Sequence, residues 1–183
     1  MNTMNHTRIL VTSGFALLGA AWQVAHAQPV VNGQRTASQT AQGGPALRAY
    51  GSTSGSHLDA AGGRRLVGDG QGNVAAAGAG SYSTAAGGQG SRSTLFKRQD
   101  DGSIDASRQG SVTTANGGSA DRDTSYTRNA DGSASAERST SATNARTGVS
   151  YDGSTRWTKG EGLTRSGTCK DAAGNTVTCG SAR

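Results

Sequence analysis

A repeat of thirty residues constrains this chain more than any other feature of its sequence. Laid at that offset, RLVGDGQGNVAAAGAGSYSTAAGG from Arg65, LFKRQDDGSIDASRQGSVTTANGG from Leu95 and SYTRNADGSASAERSTSATNARTG from Ser125 coincide column by column. Leu66, Phe96 and Tyr126 share one column, and Val74, Ile104 and Ala134 a second. Tyr82, Val112 and Ala142 share a third, and Gly72, Gly102 and Gly132 a fourth. A degenerate copy continues from Thr147 through Tyr151 and Trp157.

Each copy reads as two strands around a turn. The first two columns lie eight residues apart, so hairpins centred on Gly70, Asp100 and Ala130 would oppose Leu66 to Val74, Phe96 to Ile104 and Tyr126 to Ala134. Trp157 and Leu163 flank Gly160 in the same way, and Cys169 and Cys179 flank Gly174. The Asp-Gly steps at 101–102, 131–132 and 152–153, with the Gly-Gly steps at 62–63, 87–88 and 117–118, offer the positive φ that tight turns need. Alternation of period two runs from Ile104 through Ala106, Arg108, Gly110 and Val112, and no helical period follows residue 27.

Proline usage agrees with strands. From Ala46 to Arg183 there is none, where average usage predicts about seven, and interior strands exclude proline because each residue must donate its N–H. The expected fold is therefore all-β: an antiparallel β-meander or solenoid-like sheet of hairpin repeats over residues 60–183. Residues 28–59 carry no period and read as a flexible Gly/Ser/Gln-rich leader. From Gln28 onward only 14 of 156 residues are Leu, Ile, Val or Phe, too few for a conventional core. The competing expectation is a disordered solvating chain that orders on a partner.

Residues 1–27 have the form of a secretory signal. Arg8 supplies the positive charge, Ile9 to Ala21 the apolar run, and Ala25-His26-Ala27 a small-x-small cleavage site before Gln28. Nothing later is apolar enough to span a bilayer, which points to a periplasmic or secreted protein. In an oxidising compartment Cys169 and Cys179 are expected to pair as a structural staple, not as a redox site, since the CxxC spacing is missing.

Catalytic chemistry is sparse. His57 is the one histidine after the signal and sits in a Gly/Ser stretch, Lys97, Lys159 and Lys170 lack apolar surroundings to desolvate them, and Asp100/Asp101 and Asp121/Asp123 fall at or near expected turns. The reading is a non-enzyme with no cofactor. Gly87-Gly88-Gln89-Gly90-Ser91 and Gly68 to Val74 match the calcium-binding nonapeptide weakly, making a calcium-dependent repeat module a minor alternative. Arginines, by contrast, recur in repeat columns as Arg92/Arg122, Arg98/Arg128 and Arg108/Arg138. Stacked copies would present guanidinium rows to anionic polysaccharide, lipopolysaccharide or extracellular DNA. Asp105, Asp121, Asp123 and Glu137 interleave with them in sequence, and a mixed-charge solvated face is the competing outcome. Edge strands of a long open meander invite self-association.

The segments TNARTGVSYDGSTRWTKGEGLTRSGTCKDAAGNTVTC and DGSASAERSTSATNARTG resemble uncharacterised exported Gly/Ser/Thr-rich repeat proteins of Gram-negative proteobacteria, which end in a Cys-flanked DAxGN turn. The resemblance covers roughly residues 60–180 and implies an envelope or secreted location. It brings no assigned activity and no site residues.

Overall fold

The computed structural model describes residues 30–179. The signal and cleavage site expected over residues 1–27 lie outside the described residues. Eleven antiparallel strands follow one another in chain order across one open sheet, with no helix among the described residues. They are β1 (Val30–Gln39), β2 (Pro45–Ser54), β3 (Leu58–Gly68), β4 (Val74–Thr84), β5 (Gln89–Arg98), β6 (Ile104–Thr113), β7 (Ser119–Arg128), β8 (Ala134–Thr143), β9 (Ser150–Thr158), β10 (Gly162–Lys170) and β11 (Thr176–Val177). Of the two expected forms, this is the meander.

Most of the hairpins share one construction. Gln99 N–H donates to Ser103 O and Gly102 N–H to Gln99 O, with Gly102 at φ 85°, and Asn129, Gly132 and Ser133 repeat the pattern thirty residues on. This is a three-residue loop whose last residue must be left-handed, a conformation that only glycine adopts without a steric cost. Thr-Ala-x-Gly-Gly turns occur at both ends of the sheet: the β1–β2 turn lies at the same end as Gly102, beside Gly68 and Gly70, and the β4–β5 and β6–β7 turns lie at the opposite end. Thr40, Thr84 and Thr114 close on Gly44, Gly88 and Gly118 through both backbone and hydroxyl oxygen.

These loops move the expected register by two residues. Pairing runs about Gln71, Asp101 and Asp131, so Leu66, Phe96 and Tyr126 oppose Ala76, Ala106 and Ala136, not Val74, Ile104 and Ala134. A slip of two keeps every side chain on its face, and each expected partner sits one row nearer the turn. Trp157 does oppose Leu163. Cys169 opposes Val177, yet it bonds Cys179, with 5.3 Å between the Cα atoms, where the chain leaves the ladder.

Two further expectations are corrected. Asp152-Gly153 and Gly62-Gly63 are not turns but lie inside β9 and β3, where glycine accommodates a neighbouring ring or strand. The leader is not without structure: most of it forms β1 and β2, which pair with each other along their length, and β2 pairs from Ala46 to Ser54 with β3. Its alternation was hidden because small polar residues fill most positions, and Pro45 is tolerated as the first residue of β2.

With one layer there is no enclosed core. Ala134 and Cys169 are the only buried apolar residues among those described, at 9% and 6% exposure. Cover comes instead from two cross-strand rows on one face. The first reads Leu47, Leu66, Ala76, Phe96, Ala106, Tyr126, Ala136, Trp157, Leu163, and is bulky at both ends with alanines between its aromatic members. The second carries Tyr82, Val112, Tyr151 and Cys169. There the tyrosines roof glycines: a side chain at Gly90 would meet the Tyr82 ring, and one at Gly167 would come within 2.9 Å of Tyr151. Such aromatic cover of strand glycines stabilises pairing. Gly167→Val is accordingly expected to displace Tyr151 and cost about 1–3 kcal/mol in a denaturant titration, whereas Ser166→Val on the opposite face should cost less.

Candidate polyanion-binding face

Strand alternation and the register sort the charged residues by face. Across β3 to β8 the even-numbered side chains share one face. The connections Ser54–Asp59 and Thr143–Ser150 shift the parity, so odd-numbered side chains of β1, β2, β9 and β10 join them. Arg35, Arg64, Arg92, Arg98, Arg108, Arg122, Arg128, Arg138 and Arg165 all lie on this face. The strand acids Asp59, Asp105, Asp121, Asp123, Glu137 and Asp152 all lie on the other, beside Arg48, Arg65, Lys97, Arg156 and Lys170. The carboxylates interleaved with arginine in the sequence are therefore separated from it by the thickness of the sheet.

The three expected arginine pairs each form a row. Arg92 and Arg122 both oppose Gly110, and Arg98 and Arg128 both oppose Ile104. Arg108 and Arg138 both oppose Thr124, Thr155 opposes Arg138 and Arg165, and in the other direction the row runs from Arg108 through Thr94 and Gly78 to Arg64 and through Ala49 to Arg35, so it has five members. Arg165, Arg64 and Arg35 fall outside the thirty-residue frame, which is why column matching misses them; strand parity finds them. Successive members of a row stand two strands apart, roughly 9–10 Å, save Arg64 and Arg108, which are three strands apart; this is far enough that guanidinium groups repel weakly in water and close enough to act on one polymer.

Opposite the arginines, small side chains leave the sheet hollow. A depression of about 670 Å³ is lined by Ser81, Ser91, Ser111, Gln109, Asp121 and Asp123 among others, and Ser91 and Ser111 hydroxyls bond at 2.7 Å. No group of three or more His, Cys, Asp or Glu side chains is arranged to hold a metal among the described residues. In the segment likened to a calcium nonapeptide, Asp69 accepts from Gln71 N–H at 2.8 Å, from Asn73 N–H at 3.1 Å and from the Asn73 side-chain amide. It organises its own turn. His57 lies between β2 and β3, and its carbonyl accepts from Ala85 N–H.

Four turn carboxylates are held below the ordinary aspartate range by such bonds. The Asn73 amide and then Gln71 N–H act on Asp69, and Ser103 N–H acts on Asp101. The Ser133 hydroxyl, its N–H and, last, Lys159 act on Asp131, and the Asn175 amide and then its N–H on Asp171. Each stays ionised in the fold to lower pH than in the unfolded chain, which therefore binds more protons across that interval; stability rises with pH there. The melting temperature is expected to be flat above about pH 5 and to fall as pH drops below about 4. Asparagine at all four positions keeps turn-forming ability and should flatten that acid arm.

The fold and this face define a class: an open, single-layer antiparallel meander with arginine segregated to one side. Comparison with protein-family models, with curated proteins and with solved structures returned no match. Among the described residues no helix is long and apolar enough to cross a membrane.

Proposed function

We propose that this chain is an exported, non-enzymatic binding or coating protein whose arginine face holds anionic polymer of a bacterial envelope or matrix. Acidic polysaccharide, lipopolysaccharide and extracellular DNA all present the required anionic groups. The observation that carries the reading is the sorting of nine strand arginines to one face and six strand acids to the other. A chain of modest net charge, +6 overall, thereby concentrates a positive field where a polymer can meet it. Support for a periplasmic or secreted location comes from the signal-like first 27 residues and the Cys169–Cys179 bond.

Self-association is a second reading, favoured by the edges. β11 pairs only with Cys169 and Lys170, so Gly162 to Thr168 of β10 have no further strand partner among the described residues. The primary reading is tested on heparin resin: retention at low salt and release at moderate salt are expected, and flow-through at low salt would reject it.

A further inference from the structure

We infer that the polymer on this face is an extended acidic polysaccharide lying across the strands, its sugars stacked on Phe96, Tyr126 and Trp157 and its anionic groups on Arg108, Arg138 and Arg165. This rests on the polyanion reading above and deepens it. The three aromatic residues occupy one cross-strand row on β5, β7 and β9. The three arginines occupy the adjacent row, two residues along, on the intervening strands β6, β8 and β10. Both rows advance by two strands, roughly 9–10 Å per step, a length comparable to one disaccharide of an extended glycan.

The alternation makes this more than a scatter of arginines. Within the ring row the intervening positions are Ala106 and Ala136, whose methyl groups leave room beside each ring for a flat sugar. Phe96, Tyr126 and Trp157 are each half-buried, so part of every ring remains open to solvent. The arginine row is also clear of carboxylates: the nearest acids on the chain are at the turns, beyond the ring row, or on the opposite face. Charge complementarity therefore selects an anion, and the rings select one with an apolar face to stack. Duplex DNA offers phosphates but keeps its base faces stacked inside, so it would engage the arginines and leave the rings unused.

The test measures binding of the full chain to polygalacturonate oligomers of increasing length and to a short DNA duplex, for the wild type and for Phe96→Leu/Tyr126→Leu/Trp157→Leu. Leucine keeps apolar cover but cannot stack. Affinity of the wild type should climb with oligomer length up to about six sugars, the span of three rings, and level off. The triple variant should lose polygalacturonate affinity by roughly tenfold or more with duplex binding unchanged. Tyr126→Leu alone, the mildest change, should show a smaller loss in the same direction, which keeps the test open if the triple variant folds poorly. Unchanged polygalacturonate affinity in folded variants, or no dependence on length, overturns the ring-stacked arrangement and leaves the arginine reading standing. Tighter wild-type binding to the duplex than to polygalacturonate overturns the choice of polysaccharide. Binding to neither removes both readings.

Discussion

Removing the Cys169–Cys179 bond by Cys169→Ser with Cys179→Ser should lower unfolding free energy by roughly 2–3 kcal/mol. The bond closes a loop ten residues long in sequence separation, and in the chain-entropy description most of its effect lies in restricting the unfolded chain. In a two-layer protein that loss would be a modest fraction of the total. Here no side chain is fully buried among the described residues, so little apolar burial is available to offset it. The loss should also be local at first. β11 is two residues long and pairs at Cys169 and Lys170 alone, and without the cross-link it should fray and expose the rest of the β10 edge. A denaturant midpoint lowered with the slope unchanged, accompanied by hydrogen exchange spreading from residues 162–170, is the expected result. An unchanged midpoint would show that the terminal hairpin is held by its turn. That turn is well made, with Asp171 accepting from Ala173 N–H at 3.0 Å and Asn175 N–H at 2.8 Å.

How far the chain could be read before its structure depended on what each residue reports. Bulky residues at a thirty-residue spacing are rare enough in this composition to announce hairpins, and the three apolar columns lie on one face of the sheet, as an antiparallel pattern requires, while the glycine column falls in the turns. Their partners differ from the symmetric expectation by two residues because symmetry about a turn does not reveal how many residues the loop consumes; Gly102 in its left-handed conformation makes that loop three residues long. β1 and β2 give no strand signal in sequence because Gln, Ser, Thr and Ala alternate without contrast. TAQGG at 40–44 nevertheless repeats TAAGG at 84–88 and TANGG at 114–118, and these are the residues that build the threonine-closed turns. The degenerate fourth copy has its own cause. The connection between Thr143 and Ser150 is one residue longer than its counterpart between Thr113 and Ser119, and Trp157, on an odd number, rejoins the face of Tyr126.

The charge sorting was also within reach of sequence parity, once the two parity-shifting connections were known. Asp105 precedes Ala106, and Glu137 precedes Arg138, so each acid stands one residue from a position on the arginine face and hence on the other side. Interleaving along the chain is separation in space wherever the chain is a strand. What sequence alone did not supply is the parity shift at Ser54–Asp59 and at Thr143–Ser150, which brings Arg35, Arg165 and Trp157 to the face of Arg108. Loop lengths decide it.

Two variants matched in charge test this sorting most directly. One carries Arg92→Ser, Arg108→Ser, Arg122→Ser and Arg138→Ser; the other carries Arg48→Ser, Arg65→Ser, Arg156→Ser and Lys170→Ser. Both lose four positive charges, so any effect of net charge alone is common to them. If the faces are sorted as the register places them, the first variant loses affinity for heparin on the order of a hundredfold and elutes near the void at low salt. The second, whose substitutions lie on the acid-bearing face, stays retained close to the wild type. Equal loss in the two variants, with strand circular dichroism intact in both, would contradict the arginine face.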